Sequence, residues 1–325
     1  MIITQTPLRI SLFGGGTDFP EFYRREGGCV LSTAIDKYVF AIIKERFDAL
    51  IRVGYTRTEI VETVDQVQHD LVREALRLTG ISRAVEIATM ADVPAQGTGL
   101  GSSGAVTVGL LNAMHVYRND ARPAAELAAQ ACTIELERLG RPIGRQDQYI
   151  AAFGGLRFLR FQPDDRVEVE PVEIPGDARR ILEESLLLFY TGKTRDASAI
   201  LAEQRENIPR RLSELREVKA LAEEARQLLQ AGDVDTVGQL LDEGWQIKKR
   251  LASGISNGDI EEMYQAALRA GALGGKLCGA GGGGFLLLYC PRERQEALRR
   301  ALSGYRELPF RLEKDGSKVV LNIRR

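Results

Sequence analysis

The sequence predicts an α+β fold in two parts, and three observations carry that reading. Runs rich in alternating, β-branched residues crowd the first half, whereas residues 196–271 form a nearly unbroken series of helical patterns. The 325 residues suffice for about two domains with a sizeable core. The 33 glycines are clustered at 14–16, 97–104 and 279–284, as expected where backbone approaches a ligand rather than where a linker flexes. The boundary between the two parts is placed near residue 185, giving 1–185 and 186–325.

Residues 2–13 read as a strand interrupted by Pro7, 29–46 as one or two strands, and 51–63 as their continuation. A helix is expected over 66–79, ended by Gly80. Residues 84–94 read as a strand that delivers the chain to the second glycine cluster. From Ser102 to about Tyr117 the pattern is apolar nearly all round, which predicts a buried helix. Pro123 sits in the first turn of the next helix and Gly140 lies just past its end. Residues 155–161 and 166–174 alternate strictly, as half-buried strands do, and 186–192 is another strand. A long helical stretch over 196–230 is expected to kink or break at Pro209. Helices at 233–252 and 257–271 follow, then strand 273–278, a glycine turn, strand 284–290, helix 292–303, and strands 305–313 and 318–323. No internal repeat or low-complexity segment is present.

A net charge of −1 implies no general affinity for nucleic acid or acidic membranes. No apolar run approaches the roughly 18 residues of a membrane span, and residues 1–10 have no signal-peptide pattern. Cys29, Cys132, Cys278 and Cys290 form no C-x-x-C pair and read as reduced, buried thiols, so a cytoplasmic setting is expected. With only His69 and His115, both read as surface or core residues, a histidine-rich metal site is not expected. Trp245 and Met263 read as packing residues, and the charged block 203–230 as a solvated amphipathic helix.

The stretch "PAQGTGLGSSGA" at 94–105 follows a strand and opens the buried helix. Such a helix N-terminus turns free N–H groups and a positive dipole end toward the loop. Gly97, Gly99 and Gly101 allow close approach, and Ser102 and Ser103 can donate hydrogen bonds or ligate magnesium. The lysine of the P-loop pattern G-x-x-x-x-G-K-[ST] is absent, and G-L-G-S-S-G from Gly99 is a weak dinucleotide match, so a purely structural turn stays open here.

Two carboxylates stand out. Glu135 falls on the apolar stripe Ala128–Cys132–Leu139, where it is either a buried salt bridge or a magnesium ligand. Asp147, twelve residues on, is either a helix cap or a base for a hydroxyl proton. "TPLRISLFGGGTDF" at 6–19 is a strand ending in three glycines followed by Thr17 and Asp18. "KLCGAGGGGF" at 276–285 carries more glycines than a hairpin turn needs. "TGKTR" offers Lys193, Thr194 and Arg195 as a phosphate site or as a solvated charge pair.

Three glycine motifs in this order and spacing resemble the GHMP kinases across the whole chain. Glu135, Gly140, Pro142, Gly144 and Asp147 keep the spacing between that family's magnesium-binding Glu and catalytic Asp. Arg9 stands nine residues before Asp18, as the family's active-site Arg does before its sugar-binding Asp. Within the family the chain looks most like the D-glycero-D-manno-heptose 7-phosphate kinases, with GGGTD at 14–18, "FYTGKTRDAS" at 189–198, and "LLDEGWQIKKRLASGISN" at 240–257 ahead of the third motif. The galactokinase Glu-His before Asp18 is absent, which argues against galactose.

The resemblance implies a two-domain GHMP kinase fold, with an ATP-binding N-terminal domain, a C-terminal domain, and the active site in the cleft between them. It implies ATP and Mg²⁺ as cofactors and a sugar phosphate as acceptor, phosphorylated at its anomeric hydroxyl to a heptose 1,7-bisphosphate for surface polysaccharide. Gly97, Thr98, Gly99, Leu100, Gly101, Ser102 and Ser103 would wrap the triphosphate. Ser103 and Glu135 would hold magnesium, Asp147 would be the base, and Arg9 would assist it. Gly15, Gly16, Asp18, Gly144, Lys193, Arg195, Gly281 and Gly282 would bind the sugar phosphate. Lys276 is a lesser candidate, and Lys248 and Lys249 are assigned to a helix face. A fucokinase-like sugar-1-kinase and a non-catalytic sugar or nucleotide sensor are the alternatives, the latter disfavoured because Asp147, Glu135 and Ser103 are all present. A dinucleotide-binding dehydrogenase fails for want of an acidic residue closing a βαβ unit. Neither nucleic acid nor membrane is expected as a partner, and homo-oligomerisation is left open.

Overall fold

The computed structural model describes residues 1–94, 97–193 and 197–323. The first part runs β1 (Ile2–Phe13), α1 (Pro20–Glu26), β2 (Gly28–Glu45), β3 (Ile51–Gly54), β4 (Thr58–Val61), α2 (Asp70–Thr79), β5 (Val85–Ala91), α3 (Ser102–Tyr117), α4 (Ala124–Cys132), α5 (Gln146–Phe153), β6 (Leu156–Phe161), β7 (Val167–Pro171) and α6 (Gly176–Ser185). The remainder runs β8 (Leu186–Tyr190), α7 (Ala197–Asn207), α8 (Leu212–Ala231), α9 (Val234–Lys248), α10 (Gly258–Arg269), β9 (Gly274–Leu277), β10 (Phe285–Tyr289), α11 (Gln295–Ala301), β11 (Arg306–Glu307) and β12 (Lys318–Asn322).

The strands form two sheets. In the larger, the order is β12-β1-β2-β5-β3-β4, with β6 and β7 branching from β2. That branch exists because β2 is long enough to serve two partners: Gly28–Thr33 pair with β6, and Val39–Glu45 pair with β5. Among the described residues only the β3–β5 pairing is parallel, so the sheet is not doubly wound. Pro7 does not interrupt β1; the strand runs through it with a register shift between Pro7 and Leu8, the irregularity expected where a ladder donor is missing.

Helix α3 lies against β1 and β2 and is flanked by α2, α4 and α5, which explains its apolar circumference. Gly109 lets it sit close to the sheet: a Cβ there would come 2.8 Å from Thr6 Oγ1, while Thr4 Oγ1 donates to the Gly109 carbonyl at 2.9 Å.

The smaller sheet has the order β11-β8-β10-β9. Its central strands, LLLFY and FLLLY, are continuous apolar runs, the pattern of strands covered on both faces. Their side chains divide between two hydrophobic clusters: Leu188 and Leu287 join the core under the large sheet, and Phe189, Leu286 and Leu288 join a second around Trp245 and Tyr264.

Several expectations are corrected. Residues 305–313 supply only the two-residue β11 and an isolated bridge from Leu312 to Ile35; Pro309 has no N–H to give a ladder. The last strand, β12, returns to the large sheet and pairs with β1. The helix expected over 66–79 starts at Asp70, after a 3₁₀ turn at Val64–Gln66, with His69 as its N-cap accepting from the Val72 N–H at 3.5 Å. Helices α1 and α6 were not anticipated. Pro209 does break the long helical stretch, in a 3₁₀ turn at Ile208–Arg210.

The returning C-terminal segment is locked to the end of α5. The Gly155 N–H donates to the Glu313 carbonyl and the Glu313 N–H to Ala34, both at 3.0 Å, and a Cβ on Gly154 would collide with the Asp315 backbone. Gly140 has nearly the same φ, +63° against +64°, but nothing within 4 Å of its would-be Cβ. Gly140→Ala should therefore cost about 1 kcal/mol for left-handed backbone alone, and Gly154→Ala about 2 kcal/mol more for overpacking. Urea unfolding of the two variants reads the difference; equal losses would contradict the locked return.

Candidate active site

The glycine loop is held open by its backbone. Gly97, Gly99 and Gly101 have φ of +73°, +76° and +76°, angles that side-chain-bearing residues rarely adopt. Gly101 is the N-cap of the sixteen-residue α3, so the loop residues stand where the helix presents its unbonded N–H groups. The third glycine motif packs directly on this loop. A Cβ on Gly279 would come 2.6 Å from Gly99 Cα, one on Gly284 would come 2.6 Å from the Thr98 carbonyl, and one on Gly99 would strike the Cys278 carbonyl. The Phe285 N–H donates to that same Thr98 carbonyl at 3.3 Å. This accounts for the glycines at 279 and 284, where two backbone segments meet without side chains between them.

Arg9, on β1, is 5% exposed and grips the loop from beneath. Its Nε and Nη2 donate to Asp147 Oδ1 and Oδ2 at 2.7 and 2.8 Å, and its Nη1 donates to the Gly99 carbonyl at 2.6 Å. Its backbone N–H donates to the Leu100 carbonyl at 3.0 Å. Asp147 is in the first turn of α5, whose N-cap is Arg145, so the capping reading falls. Gly104 lets α3 approach it: a Cβ there would lie 2.9 Å from Asp147 Cβ. The base candidate thus sits beside the helix N-terminus that opens the loop.

Asp18 is 2% exposed. It accepts from the Gly16 N–H at 2.9 Å and from the Gln146 N–H and Nε2 at 3.2 and 3.1 Å. Burial raises its pKa above the ordinary carboxylate value, with Asp147 adding to the rise and the N–H donors opposing it. Gly144 is obligatory beside it, because a Cβ would overlap the carboxylate. Gly15, Gly16, Gly144, Asp18, Asp147 and Arg9 all line one cleft.

Glu135 is fully buried in a π-helical turn, Thr133–Arg138, that continues α4; such turns recur at functional sites. Ser103 Oγ donates to Glu135 Oε2 in a very short contact, and Gln148 Nε2 donates to Oε1 at 3.0 Å. Arg141 reaches both, its Nη1 at 2.6 Å from Ser103 Oγ and 3.1 Å from Glu135 Oε2, while its Nη2 holds Asp70 at 2.8 Å. Burial raises the Glu135 pKa, and Ser103, Arg141 and Gln148 oppose that rise. Among the described residues no three His, Cys, Asp or Glu gather as a metal cluster. One buried carboxylate beside one hydroxyl at the glycine loop is nevertheless a donor set suited to Mg²⁺, which completes its shell with water and substrate oxygens. The buried ion pair to Arg141 is equally real.

Other candidates fall elsewhere. Lys193 is exposed and paired with Asp259, and it does not line the cleft. Arg195, with Thr194, lies outside the described residues. Gly281 and Gly282 pack against Ile255, whose carbonyl accepts from the Gly282 N–H at 2.8 Å; Gly279 and Ala280 face the cleft in their place. Sequence reasoning missed Gln146 and Gln204, and put Lys248 on a helix face although its ammonium turns inward to backbone carbonyls beside the cleft. Gln146 adjoins Asp147 in the sequence and Lys276 lies within the third motif, so both carried a local signal; Lys248 and Gln204 carried none.

Comparison with known proteins agrees with this architecture. Residues 60–155 match the family description "GHMP kinases N terminal domain" and residues 225–307 match "GHMP kinases C terminal". The chain is 32% identical to the D-glycero-alpha-D-manno-heptose 7-phosphate kinase of Campylobacter jejuni subsp. jejuni, over 98% of each chain. It is 26% identical to the bifunctional fucokinase/GDP-fucose pyrophosphorylase of Arabidopsis thaliana, over 95% of this chain and 32% of that one. The crystal structure of a D-glycero-D-manno-heptose 1-phosphate kinase from Bacteriodes thetaiotaomicron superposes with a TM-score of 0.83 at 26% identity, covering both chains fully. The chain belongs to the GHMP kinases and is a phosphotransferase with an alcohol group as its acceptor.

Proposed function

We propose that this kinase transfers the γ-phosphoryl group of ATP to the anomeric hydroxyl of D-glycero-D-manno-heptose 7-phosphate, giving the 1,7-bisphosphate in nucleotide-heptose synthesis for surface polysaccharide. The observation that carries the reading is the bidentate Arg9–Asp147 pair at the N-terminus of α3, in one cleft with Asp18. Relatives that share the whole length of the chain and are named heptose 7-phosphate kinase and heptose 1-phosphate kinase support a heptose phosphate as the acceptor. A cytoplasmic setting fits that role, and among the described residues no helix is long and apolar enough to cross a membrane.

Phosphoryl transfer needs positioning and charge neutralisation more than covalent assistance. Residues 97–103 wrap the triphosphate with backbone N–H groups and the α3 dipole. Ser103 and Glu135 are the residues that would hold magnesium, which would supply further neutralisation of phosphate charge. Gln148 orients Glu135 from behind. Asp18, steadied by Gly16 and Gln146, accepts hydrogen bonds from acceptor hydroxyls. The anomeric oxygen bonds to γ-phosphorus as the bond to the β–γ bridging oxygen breaks, and its proton passes to Asp147. Arg9 fixes both Asp147 oxygens and so limits the rotamers from which that proton is taken.

Asp147→Asn should lower kcat by about 10²–10⁴ while binding of an ATP analogue persists; turnover near wild type would remove the base role. Glu135→Gln should raise the magnesium concentration needed for half-maximal rate. An unchanged magnesium titration would leave Glu135 only as the partner of Arg141. A coupled ADP-release assay over free and phosphorylated sugars reads the acceptor: heptose 7-phosphate is expected to lead in kcat/KM, and preference for free fucose would overturn the assignment in favour of a fucokinase-like enzyme.

A further inference from the structure

Two ammonium groups in the cleft, one on buried Lys276 and one on half-buried Lys248, have no role in the reaction as described. Lys276, on β9, is 8% exposed, and its Nζ donates to the Ser11 and Leu12 carbonyls, each at 2.9 Å. Lys248, at the end of α9, donates to the Leu277 and Gly279 carbonyls at 3.0 and 2.5 Å. Each has spent two of its three protons on neutral backbone oxygens. Among the described residues neither forms an ion pair with a carboxylate, whereas Arg9 in the same cleft has Asp147. Ser11 lines the cleft with them, is 6% exposed, and has a buried Oγ with no hydrogen-bond partner.

Buried cations without counter-ions are costly. Burial pulls Lys276 down to about 8, with Arg9 adding to the fall and Cys278 and Asp18 opposing it, and burial holds Lys248 well below its ordinary value, with Lys276 and Arg9 adding to the fall and Cys278 opposing it. An anion placed among them would relieve that cost. Both lysines carry a remaining proton, and Ser11 carries an unused hydroxyl, all beside the cleft where phosphate groups are exchanged.

We propose that Lys248, Lys276 and Ser11 form a phosphate-binding site in the cleft, supplying from the C-terminal half of the chain the positive charge that the lysine-free glycine loop lacks. The ligand is a phosphate monoester or terminal phosphoryl group. In this enzyme it comes either from the nucleotide's γ-position or from the acceptor's own phosphate. The site rests on the kinase reading for its ligand and not on the identity of the sugar.

The test is titration calorimetry on the full-length protein, comparing wild type with Lys276→Met, Lys248→Met and Ser11→Ala. The probes are Mg²⁺ with a non-hydrolysable ATP analogue, Mg²⁺–ADP, heptose 7-phosphate and unphosphorylated heptose. Loss of one charge-assisted hydrogen bond predicts about ten- to a hundredfold weaker binding of one phosphate-bearing probe in each lysine variant. Ser11→Ala, which leaves the backbone donors untouched, should weaken the same probe by several-fold with an unchanged melting temperature. A loss confined to the ATP analogue over ADP assigns the γ-phosphoryl group; a loss confined to heptose 7-phosphate over free heptose assigns the acceptor's phosphate. The proposal is overturned if all four probes bind the variants as they bind wild type, or if all weaken alike, which is the mark of general damage. Wild-type protein that ignores heptose 7-phosphate but shows the lysine-dependent loss with the ATP analogue would overturn the acceptor assignment and leave this site standing.

Discussion

The active cleft depends on one side chain. Arg9 spends its guanidinium on Asp147 and on the Gly99 carbonyl, and its backbone N–H on Leu100. Strand β1, helix α5 and the glycine loop are thereby tied to one another by a residue with almost no solvent contact. A desolvated arginine in that position needs a carboxylate, and Asp147 satisfies it with matched, planar geometry. The same bond that relieves the buried charge therefore fixes the orientation of the proposed base. Glycine at 101 and 104 follows from this arrangement, since a side chain at either place would push into Arg9 or Asp147.

The second constraint is the contact between distant glycine segments. The loop at 97–101 and the turn at 279–284 meet backbone to backbone, and beneath the turn Lys248 and Lys276 cross to carbonyls of the third motif and of β1. Residues nearly two hundred positions apart thus build one wall. A lone glycine-rich loop without lysine would be a weak phosphate site. Here it is braced from behind, with Arg9 beneath it and two ammonium groups nearby.

Much of this was legible in the sequence, for identifiable reasons. The buried helix α3 was readable because apolar residues occupied its whole circumference, and Glu135 was conspicuous because it broke an apolar stripe; both readings offered for it, ion pair and oxygen donor, are compatible with its surroundings. Lys193 misled because a lysine beside a strand end resembles a phosphate ligand in one dimension, yet in space Asp259 takes it up at the surface. Lys248 misled in the opposite sense: helical periodicity places it near charged neighbours, but its long stem carries the ammonium back under the glycine turn. The return of β12 to β1 could not be seen either, because strand pairing across more than three hundred residues leaves no local pattern. Spacing between motifs was more informative than any motif alone, since it encodes which turns must meet.

The central claim is that Arg9 and Asp147 act as a single unit in phosphoryl transfer. A double-mutant cycle on kcat with Arg9→Met, Asp147→Asn and the combined variant measures this directly, with melting temperatures checked for all three. Residues that act as a unit are strongly non-additive, so the double variant should lose little more than Asp147→Asn alone. Losses that multiply in the double variant would mean that the two residues act independently, and would contradict the account.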